Sequence, residues 1–393
     1  MYTPFTSRHF TTHIDPESHV KYAILSTRVA PIQQGFYFVN SGYSDDGRYL
    51  WFYCAFPPSA GHSLAVIDFL TDEIHHYPET AGSGWMVDPQ TGNVYWGCGQ
   101  GIFMRTPHPT DKPIQIARLP EFCRRSGVKG AGTHLSFTPD RKEIVADLQT
   151  PFGSSIGSFD IVTGEYTEWY RTKPGIPYNH VHVCPTNGNV CMAAHEYSFD
   201  PAVGASVPPP KDNGIYPRLQ IIGRDGSRKM LPPYGNYATH EWWGPTGKNV
   251  YYCATICEGG QQAVVARDDL DGTPAKRIWE MPIEGGVGAW HAHCSENEKY
   301  FVIDGSWPTM GSDWWRGIAS TVRFFNSESG KTVYITKYNP VINGWSPDNQ
   351  CTYHIDPHPR FVLHDTLITF TATVSGHVDL AVADVAQLLE MSR

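Results

Sequence analysis

The sequence predicts an all-β protein, a seven-bladed β-propeller over residues 1–393 as a single domain. Three observations carry that expectation. The chain is rich in turn formers, with 37 Gly and 31 Pro, and in aromatics, which make up 13% of it, while charged residues are only 18%. That mixture suits many short strands joined by tight turns better than helical bundles. A turn-then-strand unit also recurs along the chain, and each copy is followed by a second apolar strand. The pairs recur at roughly 45–60 residues, the length of a propeller blade.

The first element is a Pro or Asp, a Gly- or Asn-containing turn, and an aromatic or β-branched run. It runs from Asp45 to Phe52, Pro89 to Trp96, Pro139 to Val145, Pro185 to Met192, Pro245 to Tyr252 and Glu296 to Val302. A degenerate seventh copy lies at His364 to Phe370. Each reads as a turn feeding a strand buried on both faces. The second element ends in an acidic or Gly turn, as at Ala65–Asp72, Ser158–Gly164, Gln220–Gly226, Arg323–Gly330 and Leu380–Val385. Stacked blades bury their apolar faces on one another, so a chain of this length needs no second core. The Pro-rich stretch from Ser206 to Asn213 is expected as a loop between the second and third strands of one blade.

Composition narrows the function classes. A formal net charge of −9 argues against a nucleic-acid binder, which needs a basic face. It leaves room for an anionic small substrate in a locally positive pocket. No apolar run is long enough for a membrane helix, and the first residues lack the apolar core of a secretory signal. A cytoplasmic location, with no membrane partner, is therefore expected. Of the nine cysteines, Cys54, Cys191 and Cys253 sit in strand-like runs and read as buried free thiols. Cys253 and Cys257 form a CxxxC with no second pair, a weak metal signal.

Eighteen histidines are many for a chain of this length. Four groups stand out: His180, His182 and His195 with Glu196; His240 with Glu241; His291 and His293; and His354 with His358. His182, His240, His291 and His358 each fall a few residues before the turn that opens a blade's second strand. That phase places them at the ends of innermost strands, which line the central channel and converge on one face. Imidazole binds divalent metals and moves protons near neutral pH. Nitrogen ligands with an amide oxygen suit manganese, iron, nickel or zinc.

The stretches Asn179–Pro185, His195-Glu196, Tyr216–Ile222, Thr239–Pro245, His291–Gly305 and Gln350–Phe361 resemble the oligogalacturonate lyases. These are seven-bladed propellers that degrade short pectin fragments by β-elimination. The similarity in order and spacing extends from about Phe36 to Asp384. It implies an anionic oligosaccharide substrate and a bound manganese ion held by three histidines and a glutamine. The matching positions are His291, Gln350, His354 and His358. It also implies that His240, in the His-Glu motif, is the base, and that Arg218 supports the reacting centre. His180, His182, His195 and Trp243 are the further candidates for contact with the sugar. One departure is visible: the family separates its last two histidines by a single proline, whereas this chain reads His354-Ile-Asp356-Pro-His358. Either His354 still reaches the metal or Asp356 replaces it. Lyases on glucuronate-containing glycans (ulvan or rhamnose–glucuronate type) and a non-catalytic sugar-binding propeller are the alternatives.

Overall fold

A computed structural model describes residues 3–393 except 126–130, 151–152, 201, 203, 212–215, 236, 257–261, 281–288, 307–318 and 343–351. Its strands form seven antiparallel sheets arranged as a seven-bladed propeller, plus one two-stranded hairpin. Blades I to VI each have four strands, consecutive in the chain except in blade IV, and their innermost strands are Ile32–Gln34, Ser83–Val87, Ser136–Phe137, Tyr178–Cys184, Tyr237–Trp243 and Ala292–Cys294. The repeated element of the sequence corresponds to the turn into the second strand of each blade, and the strand itself is buried. Tyr49–Ala55, for example, has every residue but Tyr49 and Tyr53 buried.

Blade VII closes the ring from both chain ends. Its inner strands are Arg360–Val362, Leu367–Ala372 and Asp379–Asp384, and its outer two are Lys21–Leu25 and Phe10–Ile14. The pairing Tyr22↔Ala383 and Ile24↔Ala381 stitches N-terminal to C-terminal sequence. The last helix, Val385–Met391, is N-capped by Asp384, whose carboxylate accepts from the Ala386 N–H at 2.8 Å. Gln387 then accepts from the Lys21 N–H at 2.9 Å, fastening this helix to the same seam.

The core lies between blades rather than at one centre. Trp51, Leu64 and Val66 of blade I pack on Val87, Val94 and Trp96 of blade II. Ile144, Ala146 and Phe159 of blade III meet Tyr95 and Ile102 of blade II. Val250, Tyr252 and Val264 of blade V meet Met192 and Leu219 of blade IV. Blade VII seals against blade I through Leu380 and Val382 on Leu50, Phe52, Ala65 and Ile67. Each buried Leu, Ile, Val or Phe contributes about 1.5–3 kcal/mol, so every seam carries weight and the ring holds its inner strands in fixed register. The hairpin Ser198–Asp200 with Ala205–Val207 is inserted between the second and third strands of blade IV, where the Pro-rich loop was expected. The seven cysteines described are free thiols, six of them buried, as expected for Cys54, Cys191 and Cys253; Cys257 lies outside the described residues.

Candidate metal centre and active site

Register explains why histidines meet at the axis. The N–H of Thr138 bonds to Glu143 O, that of Gly244 to Asn249 O and that of Ser295 to Tyr300 O, marking the same turn in blades III, V and VI. In blade IV the corresponding inner strand ends at Cys184, paired with Asn187. Counting back four residues from Thr138, Cys184, Gly244 and Ser295 gives His134, His180, His240 and His291. Four consecutive blades thus present a histidine at one equivalent rung. The sequence phase had chosen His182 for blade IV; the register assigns that rung to His180.

The backbone is specialised there. The inner strands of blades IV and V carry bulges between Asn179 and His182 and between Thr239 and Trp242. Inside them His180 and His240 both adopt φ +52°, and blade II has Gly84 at +62° on the same rung. A bulge with a left-handed residue turns one side chain away from the regular pleat. Holding a non-glycine residue there costs about 1–3 kcal/mol and persists at sites the surroundings over-determine. His354 and His358 of blade VII are also left-handed, at +50° and +46°.

These histidines surround Tyr37, which blade I sends into the middle of the group. Its ring lies 4.9 Å from His134, 5.9 Å from His180, 5.8 Å from His291, 5.9 Å from His354 and 4.8 Å from His358, centroid to centroid. Burial and the nearby Glu241 carboxylate hold its phenol well above the ordinary value, so it stays protonated.

On one side of Tyr37, His291, His354, Asp356 and His358 offer ligand atoms that all lie within 4.8 Å of one another. Three imidazoles and a carboxylate make a donor set suited to a first-row divalent metal. Asp356 is 2% exposed, and its Oδ2 is 3.1 Å from His354 Nε2 and 3.6 Å from His358 Nε2. Behind this group, fully buried Asp304 contacts Nδ1 of His291 at 2.9 Å and accepts the N–H of His358 at 3.0 Å. A carboxylate on Nδ1 directs Nε2 towards a metal and fixes the tautomer. The residues present therefore fit a divalent cation. His354 and Asp356 lie together in the group, so the two inserted residues add a carboxylate beside the histidine. Gln350 lies outside the described residues.

His240 stands beside this group, its ring 4.2 Å from that of His291. Burial, reinforced by His291 and Arg218, holds its imidazole well below the usual value and so neutral near pH 7. Arg218 is 2% exposed; its Nη1 donates to Glu241 and its Nη2 to Glu196. Burial raises the Glu241 carboxyl, but Arg218 and His180 outweigh it and bring it to about 2. Nδ1 of His180 lies 3.5 Å from the other Glu241 oxygen.

The remaining candidates sit further back. His182 is 8% exposed and stacks on His134 at 4.9 Å, while its carbonyl accepts from the Trp243 indole at 2.9 Å. His195 packs on Tyr178 at 5.1 Å, and its backbone N–H donates to the carbonyl of Arg218. The structure brings His180, His240, Arg218, His291, His354 and His358 to one end of the channel. Sequence reading did not single out His134, Tyr37 or the role of Asp304. The four-residue spacing to the turn was a usable signal for His134; Tyr37 had none.

With this geometry in view, comparison with known proteins is informative. No family profile matches the chain. A curated oligogalacturonate lyase from Dickeya dadantii (strain 3937) is 22% identical over 372 residues, covering 89% of each chain. A solved oligogalacturonate lyase in complex with manganese superposes with a TM-score of 0.73 at 18% identity, over 95% of this chain and 96% of that one. An oligogalacturonate lyase from Vibrio parahaemolyticus does so equally, with a TM-score of 0.73, 18% identity and 96% of both chains. The chain is thus similar in sequence and fold to oligogalacturonate lyases. The likeness runs the length of the propeller, as the sequence motifs implied. Among the described residues no helix is long and apolar enough to cross a membrane.

Proposed function

We propose that this protein is a metal-dependent lyase that cleaves oligogalacturonate-like uronic-acid oligosaccharides by β-elimination. The observation that carries the reading is the contact of His240 with the metal-ligand group: a neutral imidazole 4.2 Å from His291. A base next to a carboxylate-binding metal is what removal of a weakly acidic sugar C5 proton requires. The kinship with oligogalacturonate lyases and the manganese of one solved relative support the same reading.

His291, His354, Asp356 and His358 hold the metal, with Asp304 orienting His291. When bound, a divalent cation neutralises the uronate carboxylate and so lowers the cost of negative charge developing next to C5. His240 takes the C5 proton. Tyr37 packs between the histidine-bearing walls. Arg218 supports the reacting centre, and its two carboxylate partners lock the guanidinium in place. The product carries a 4,5-double bond.

Ultraviolet absorbance of that bond tests the proposal. The metal-loaded protein is incubated with di- and trigalacturonate and, separately, with ulvan-type and rhamnose–glucuronate oligosaccharides. Cleavage of the galacturonates supports the reading; cleavage of only the glucuronate substrates moves the activity to the other lyase class. Silence on all of them leaves a sugar-binding propeller.

A further inference from the structure

We propose that His180, held by the buried Glu241 carboxylate, is a second catalytic histidine that delivers a proton to the departing sugar oxygen. The inference rests on the lyase reading above and assigns it a residue for its other half. Elimination leaves negative charge on O4, and an alkoxide departs poorly without a proton. His240 takes a proton in the same step, so it cannot be the donor.

The geometry singles out His180. It occupies the rung of its blade that His240 occupies in the next, with the same left-handed backbone at φ +52°. Two histidines are thus re-aimed by equivalent bulges in adjacent blades. The second is braced from three sides. Its N–H donates to Thr133 Oγ1 at 2.8 Å, and that hydroxyl donates to buried Asp147 at 2.9 Å. Its Nδ1 faces Glu241 at 3.5 Å, and its ring meets Tyr37 and His134 at 5.9 and 5.1 Å. Glu241 has a side chain 0% exposed, whereas that of His180 is 24% exposed. A carboxylate so placed fixes the tautomer and offsets the charge of an imidazolium, leaving Nε2 as the edge that exchanges protons. Arg218 holds that carboxylate from its other oxygen, which gives the buried ion pair a task beyond charge near the substrate.

The step balances. The C5–H bond breaks and its proton goes to His240, while its electron pair becomes the C4=C5 double bond. The C4–O4 bond breaks with its pair on O4, which takes the proton from Nε2 of His180. One proton is taken and one given, and both histidines return to their starting states by exchange with water.

The test compares the unsubstituted protein with His180→Gln and His180→Ala, metal-loaded, on trigalacturonate and on a uronate bearing an aryl leaving group at O4. Metal affinity is followed in parallel. Trigalacturonate cleavage by the variants should fall ~10²–10⁴-fold, with metal affinity retained. The aryl substrate, whose leaving group needs no proton, should be cleaved at nearly the unsubstituted rate. Equal losses on both substrates, or unimpaired trigalacturonate cleavage, overturn the assignment. If the unsubstituted protein itself cleaves neither uronate, the lyase reading fails first.

Discussion

Asp304 joins two ligand-bearing blades: one carboxylate contacts the ring and backbone of His291 and accepts the N–H of His358, 54 residues further on. The side chain is fully buried, and its second-strand position puts it directly behind the group that fits a metal. The candidate ligands from blades VI and VII therefore share a single buried carboxylate.

Asp304→Asn is expected to weaken metal binding about 10–100-fold, the usual effect of losing such a partner. Competition against a chromogenic chelator reads this directly. An unchanged dissociation constant would remove Asp304 from the metal's support.

His240→Ala should separate chemistry from metal binding. His240 adjoins the ligand group without being one of its four members. Lyase turnover should drop ~10²–10⁴-fold, while calorimetry shows metal affinity within a few-fold of the unsubstituted protein. A variant that keeps its turnover shows that another group takes the proton.

Asp356→Ala bears on the two residues inserted between His354 and His358. If the carboxylate is a ligand, the variant loses affinity for manganese, and the electron paramagnetic resonance spectrum of bound manganese changes. His354→Ala, at a side chain 44% exposed, serves as the comparison. Loss in His354→Ala alone would leave Asp356 as a neighbour that only positions the histidines.

The ring seam sets global stability. Tyr22 is fully buried, pairs with Ala383 and packs on Phe370. Tyr22→Ala should cost about 3–5 kcal/mol, as for other large aromatic truncations. Urea unfolding measures it, and a loss under about 1 kcal/mol would mean that the seam tolerates a cavity.

Acid should destabilise the fold through its buried histidines. Burial, followed by charge on His180, brings His182 to about 3, and burial brings His62 to about 4. Both folded values lie below the unfolded one near 6.5. Their contribution is complete above pH 6.5 and is lost as pH falls towards 3–4, because only the unfolded chain takes up the protons. Unfolding free energies at pH 7.5, 6 and 5 should decline, and His182→Gln should flatten the slope.

The number of blades was legible because each must restart the same turn and buried strand, so Asp45–Phe52, Pro89–Trp96 and their successors repeat visibly. Periodicity also put histidine-bearing strands around an axis. It missed by two residues in blade IV, naming His182 where His180 faces the channel, because a bulge shifts the side-chain alternation and bulges leave no composition signal. Tyr37 and Asp304 depended on three-dimensional closure. Tyr37 is one aromatic among many in the sequence, and Asp304 gains meaning only when His291 and His358 arrive from two blades. Sequence alone therefore determined the architecture, through local turn chemistry and the burial period. Tertiary structure decided which side chains meet, because ring closure alone brings groups hundreds of residues apart, such as Tyr37 and His358, within 4.8 Å.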